Sequence, residues 1–135
     1  MDISVGKRVF ILENDADCRS RIISLLESEG FEIAGAYGLQ QGEKILHSTP
    51  VDLVMMAVNW LDLQLMERLE LLREQHFHHR TPVILMMHFS NVREFSPDIQ
   101  SMQCELLLKP FLKKELLSCI TGVIPDFQPS GLQAK

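Results

Sequence analysis

Val9-Phe10-Ile11-Leu12-Glu13-Asn14-Asp15 is the stretch that decides the fold. Four consecutive apolar residues are too few for a helix and leave no polar face, which is the pattern of a strand covered on both sides in a parallel sheet. The polar triplet ends it. Asp15 or Asp17 can then cap a helix whose apolar positions Cys18, Ile22, Leu25 and Leu26 fall on one stripe, with Gly30 as its stop.

Outward from this unit the pattern repeats. Phe31 to Tyr37 reads as a second strand, and Leu39 to His47 as a short helix with Ile45 and Leu46 inward, closed before Pro50. Leu53 to Val58 is the most apolar candidate and so the central strand. A loop at Asn59 to Asp62 and a helical stripe of Leu65, Met66, Leu69 and Leu72 follow it. Pro82 to Met87 and Glu105 to Leu108 complete five strands, and Leu112, Leu116, Leu117, Ile120 and Val123 form the apolar face of a last helix. Between the last two strands a fourth helix is expected, interrupted by Pro97 or started at about Ser96, because proline lacks the amide hydrogen and clashes with the preceding turn. Five strands alternating with helices predict an α/β protein with a doubly wound parallel sheet. The folded domain is expected over residues 1–124. Residues 125–135 have Pro, Gly, Ser and Gln without periodicity and read as a tail or linker.

The chain has 135 residues, 46% hydrophobic and 23% charged, which suits one domain with its own core. A net charge of −5 disfavours nucleic-acid binding through phosphates. No apolar run reaches the ~18 residues of a membrane span, and Cys18, Cys104 and Cys119 lack paired spacing. A soluble, cytoplasmic chain with reduced, buried thiols and no membrane contact is expected. His76-Phe77-His78-His79-Arg80 offers imidazoles without a recognised ligand spacing and reads as a cationic helix end and exposed loop, so no metal is assigned there. Met55, Met56, Met86 and Met87 read as soft core filling. No phosphate loop, dinucleotide turn, nucleophile elbow or Cys-x-x-Cys pair occurs, so no enzyme activity and no cofactor are expected.

Sites in such sheets lie at the carboxyl ends of the strands, here Glu13-Asn14-Asp15, Ala57, Met87-His88 and Lys109. The residues Phe10 to Asp17, Leu25 to Glu32, Val51 to Met56, Thr81 to Ile84 and Leu108-Lys109-Pro110-Phe111, in that order, resemble a response-regulator receiver domain over about Lys7 to Val123. The resemblance implies the flavodoxin-like (βα)5 fold with strand order 2-1-3-4-5 and a cis Lys109-Pro110 bond. It also implies a pocket that takes a phosphoryl group on an aspartate beside carboxylate-bound Mg²⁺, with a lysine on the phosphoryl oxygens and a hydroxyl that reports it. This chain carries over only part of that pocket. The acceptor position is Ala57, which has no nucleophilic oxygen. The acidic pair is Glu13 and neutral Asn14, the hydroxyl position is Met87, the switch aromatic is Leu106, and the loop after the third strand has Leu61 and Leu65 for Pro and Gly. Lys109 remains, either as a partner of Glu13 or as a binder of an acidic group.

The expected function is a phosphorylation-independent pseudo-receiver in two-component-type signalling that docks on another signalling protein, an output domain or a second copy of itself. Val92, Phe95, Ile99 and Met102 are the candidate docking surface. The alternatives are phosphotransfer at a displaced Asp15 or Asp62, for which a helix cap and a solvated loop are the plainer roles, and a small-ligand sensor using the vacated pocket.

Overall fold

The computed structural model describes residues 7–58, 71–74, 78, 80–88, 104–127 and 129. Five parallel strands, β1 (Arg8–Leu12), β2 (Glu32–Tyr37), β3 (Leu53–Ala57), β4 (Val83–His88) and β5 (Glu105–Lys109), form one sheet in the order β2-β1-β3-β4-β5. This is the doubly wound order that the resemblance implies. The helices described are α1 (Ala16–Ser28), α2 (Leu39–Leu46) and the C-terminal α3 (Lys113–Val123), with residues 71–74 also helical.

Alternation along the strands divides the core in two. Val9 and Ile11 of β1, Met55 and Ala57 of β3 and Met86 of β4 pack with Ile22 and Leu26 of α1 and Leu116, Leu117 and Ile120 of α3. Phe10, Leu12, Val54, Met56, Leu85 and Met87 point the other way, toward Leu46 of α2 and Leu72. Every residue of β3 is buried, so the strand read as central is central.

Local chemistry sets the helix ends. Asp15 caps α1, its Oδ1 accepting the amides of Asp17 at 2.9 Å and Cys18 at 3.1 Å. Gly30, at φ 92°, turns the chain out of α1 into β2, a conformation that costs other residues more. Gly42 lets α2 lie against β1, since a Cβ there would overlap the Leu12 side chain.

Three expectations shift. Leu112 is not on the buried face of the last helix: it is the N-cap of α3 and 60% exposed. The cysteines are free but half-buried rather than buried. The packed chain also runs beyond residue 124, because Phe127 is 2% exposed and its ring lies 5.0 Å, centroid to centroid, from Phe31. The third helix before residue 71 and the fourth helix with Pro97 lie outside the described residues.

Candidate functional site

The carboxyl ends of β1, β3 and β5 bring Glu13, Ala57 and Lys109 to one edge of the sheet. The amide of Glu13 donates to the Tyr37 carbonyl at 2.9 Å, carrying the β1 ladder one residue further and burying its side chain. A buried carboxylate needs partners, and Glu13 has them. Its Oε2 accepts from Lys109 Nζ at 2.5 Å and its Oε1 from the Asp15 amide at 3.0 Å. The Arg19 guanidinium donates to the Glu13 carbonyl at 2.6 Å. Lys109 is the last residue of β5, and its bond to Pro110 is cis.

Asn14 faces a different task. Helix α2 begins after Gly38, which has no side chain to cap it, and Asn14 Oδ1 accepts the Leu39 amide at 2.8 Å. The β1–α1 loop thus supplies the missing cap of α2. Asp15 is likewise engaged, through the cap of α1. Ala57 closes β3 at 7% exposure and presents a methyl group at the strand end.

The remaining expected positions are less close together. Met87 lies within β4 and is fully buried on the α2 face with Phe10, Leu12 and Met56, opposite to the face on which Ala57 packs. The side chain that β4 presents at its end is exposed His88, in register with Lys109. Leu106 pairs with Leu85 and is half-buried against the α2-side core. Val92, Phe95, Ile99 and Met102, together with Leu61, Asp62 and Leu65, lie outside the described residues.

These residues do not fit a magnesium ion. Mg²⁺ sheds water reluctantly and is held by anionic oxygens in near-octahedral array. Glu13 contributes the carboxylate and already carries an ammonium and an amide, the Asn14 oxygen holds a helix terminus, and Ala57 contributes nothing. Among the described residues no three His, Cys, Asp or Glu side chains converge on a metal position. Cys18 borders the pair: burial and the Glu13 carboxylate push its thiol up, while Lys109 pulls it down. Burial also raises Cys104, against Arg73, and lifts Cys119 to about 12.

The family model described as response regulator receiver domain matches residues 9–121. Among solved structures, the chain is similar to the chemotaxis response regulator CheY4 of Vibrio cholerae, with 18% identity, a TM-score of 0.74 and coverage of 87% of this chain and 98% of that one. It is similar to the inactive form of the regulatory domain from the repressor of iron transport regulator RitR, at 21% identity and a TM-score of 0.73, covering 91% and 100%. The receiver domain of sensor histidine kinase PA1611 from Pseudomonas aeruginosa PAO1, which has a magnesium ion coordinated in its active-site cleft, aligns at 18% identity and a TM-score of 0.73, covering 90% and 100%. No curated protein matches the chain.

Proposed function

The chain belongs to the response-regulator receiver domain family, and from that premise we propose that it is a pseudo-receiver whose signalling does not depend on phosphorylation. Receiver domains serve two-component signalling by engaging other signalling proteins or output domains. The observation that carries the finer reading is the Glu13–Lys109 pair. In a phosphorylated receiver the carboxylate faces a metal and the lysine a phosphoryl group; here each neutralises the other. With Ala57 at the acceptor position and Asn14 spent on α2, the described strand ends offer neither the usual acceptor oxygen nor a set of metal ligands. Binding then replaces phosphotransfer, and the partner is another signalling protein, an output domain or a second copy. No nucleic-acid or membrane contact belongs to this reading, and no helix among the described residues is long and apolar enough to cross a membrane. A cytoplasmic location follows from the reading itself.

The test is incubation with acetyl phosphate and Mg²⁺ followed by a phosphate-affinity gel. An unshifted band supports the proposal. A stoichiometric shift abolished by Asp15→Ala or Asp62→Asn would establish phosphotransfer at a displaced aspartate instead. Of those two, Asp15 already accepts two amides as a helix cap.

A further inference from the structure

β5 is the last strand of the sheet, and among the described residues no further strand lies beyond it. The Val54 amide bonds to the Pro82 carbonyl and the Val58 amide to the Met86 carbonyl, so alternate residues of β4 turn their backbone toward β3, and Leu85 and Met87 turn theirs toward β5. Leu85 is in register with Leu106 and Met87 with Leu108. In a parallel ladder a residue bonds to the neighbours of its opposite number, here Glu105, Leu107 and Lys109. The amides and carbonyls of Leu106 and Leu108 therefore face outward. The Cys119 thiol, which donates to the Leu106 carbonyl at 3.8 Å, agrees with that orientation. Between this edge and α3 runs an open groove of about 660 Å³, lined by β5 itself and by Lys114, Ser118 and Cys119. The opposite edge strand, β2, is blunted by an irregular register against β1, whereas β5 pairs with β4 without a break.

We propose that the outer edge of β5 pairs antiparallel with β5 of a second copy of this chain, centred on Leu107. The proposal rests on the pseudo-receiver reading in that it names one partner among those the reading allows. Backbone parity sets the register. With Leu107 opposite Leu107, Leu106 of each copy lies opposite Leu108 of the other, and these are the residues whose backbone faces outward, so each opposed pair exchanges both N–H···O bonds. A slip of one residue would set outward groups against inward ones. The Leu106 carbonyl has a second lone pair for the bond beside Cys119. The side chains agree. Leu106 and Leu108 share the α2 face by alternation, so pairing covers Leu108, 39% exposed, with the half-buried Leu106 of the other copy. On the α3 face, exposed Glu105 stands at one end of the groove beside Gly122, and exposed Lys114, in the first turn of α3, stands at the other. The two-fold relation brings Glu105 of each copy to the Lys114 end of the other, matching opposite charges twice. Lys109 is already held by Glu13, and Glu115 by the Leu112 amide.

Sedimentation equilibrium of the full chain, with hydrogen exchange followed by NMR, tests the pairing. The expected result is a dimer that dissociates on dilution. The Leu106 and Leu108 amides should exchange about tenfold more slowly in the dimer, and the Leu107 amide, bonded to β4 in both states, should not change. Glu105→Lys should weaken the dimer about tenfold, and Glu105→Lys with Lys114→Glu should restore it. A chain that stays monomeric at millimolar concentration, a dimer whose Leu106 and Leu108 amides stay unprotected, or a charge reversal that the second substitution does not rescue overturns the proposal. Protection of those amides only when a different protein is added assigns the edge to another partner and overturns it too. If Glu105→Lys fails to fold, amide protection in the unaltered chain decides. The phosphate-affinity gel is read separately, so a monomer refutes the pairing and leaves phosphorylation independence standing.

Discussion

Lys109 and Glu13, 96 residues apart in sequence, meet at 2.5 Å across the carboxyl edge of the sheet, and the Glu13 side chain keeps only 4% of its exposure. The pair ties the end of β5 to the end of β1. Its worth depends on how it is broken. Removing one member strands a charge in a poor solvent, whereas removing both leaves none.

Lys109→Met should therefore destabilise the chain by about 2–3 kcal/mol, somewhat below the range for fully buried pairs because Lys109 is partly exposed. Adding Glu13→Gln should restore part of the loss. Urea denaturation of the two single variants and the double variant gives the coupling energy. A double variant as unstable as the sum of the singles would show that the pair is not coupled.

Asn14 acts through α2. Asn14→Ala deletes the acceptor for the Leu39 amide and should cost about 1 kcal/mol, while Asn14→Asp keeps that acceptor and adds charge at a helix N-terminus, so stability should hold or rise slightly. Hydrogen exchange at Leu39 locates the effect. Equal loss in both variants would mean that the cap contributes nothing.

Phe127→Ala should cost about 3 kcal/mol, as for a large side chain removed from a core, since Phe127 packs on Phe31 in the cluster that also holds Leu26 and Ile120. Thermal unfolding measures it. A loss below about 0.5 kcal/mol, the level of an ordinary surface change, would place residues 125–129 outside the packed unit.

Cys119 sets an alkaline limit. Burial raises its thiol from 9.0 to about 12, so between those values the folded chain holds a proton that the unfolded chain has released, and stability falls as pH rises. The loss is about 1.4 kcal/mol per pH unit from this group. Cys119→Ala should flatten the pH dependence of the denaturation midpoint above pH 9, and at neutral pH Cys119 should resist a thiol reagent until the chain is denatured. An unchanged slope in the variant would contradict the assignment.

The strands and core faces are legible because apolar runs and helical stripes report burial directly, while the strand order is legible only through the family resemblance: Val9 to Leu12 and Leu53 to Ala57 are buried as their composition demands. The Asp15 cap and the Glu13–Lys109 pair were legible from chemistry at known strand ends. The capping of α2 by Asn14 was not, since its partner is 25 residues away and depends on how α2 docks against β1. The burial of Met87 on the α2 face is not legible, because an unbroken apolar run from Val83 to Met87 does not say which face its last side chain takes. Phe127 was hidden in a polar, Pro-containing segment, where one aromatic gives no periodicity. Leu112 was read as apolar stripe because helical spacing does not say where the first turn begins.

The most direct test of the central claim is NMR of the uniformly ¹⁵N-labelled chain in millimolar Mg²⁺ with beryllofluoride, which mimics a phosphoryl group on aspartate. With Glu13 held by Lys109, Asn14 holding α2 and a methyl group at Ala57, the amides of Glu13, Ala57 and Lys109 should stay in place at every concentration. Shifts centred on those three residues that saturate with beryllofluoride and vanish when Mg²⁺ is removed would contradict a signalling mechanism independent of phosphorylation.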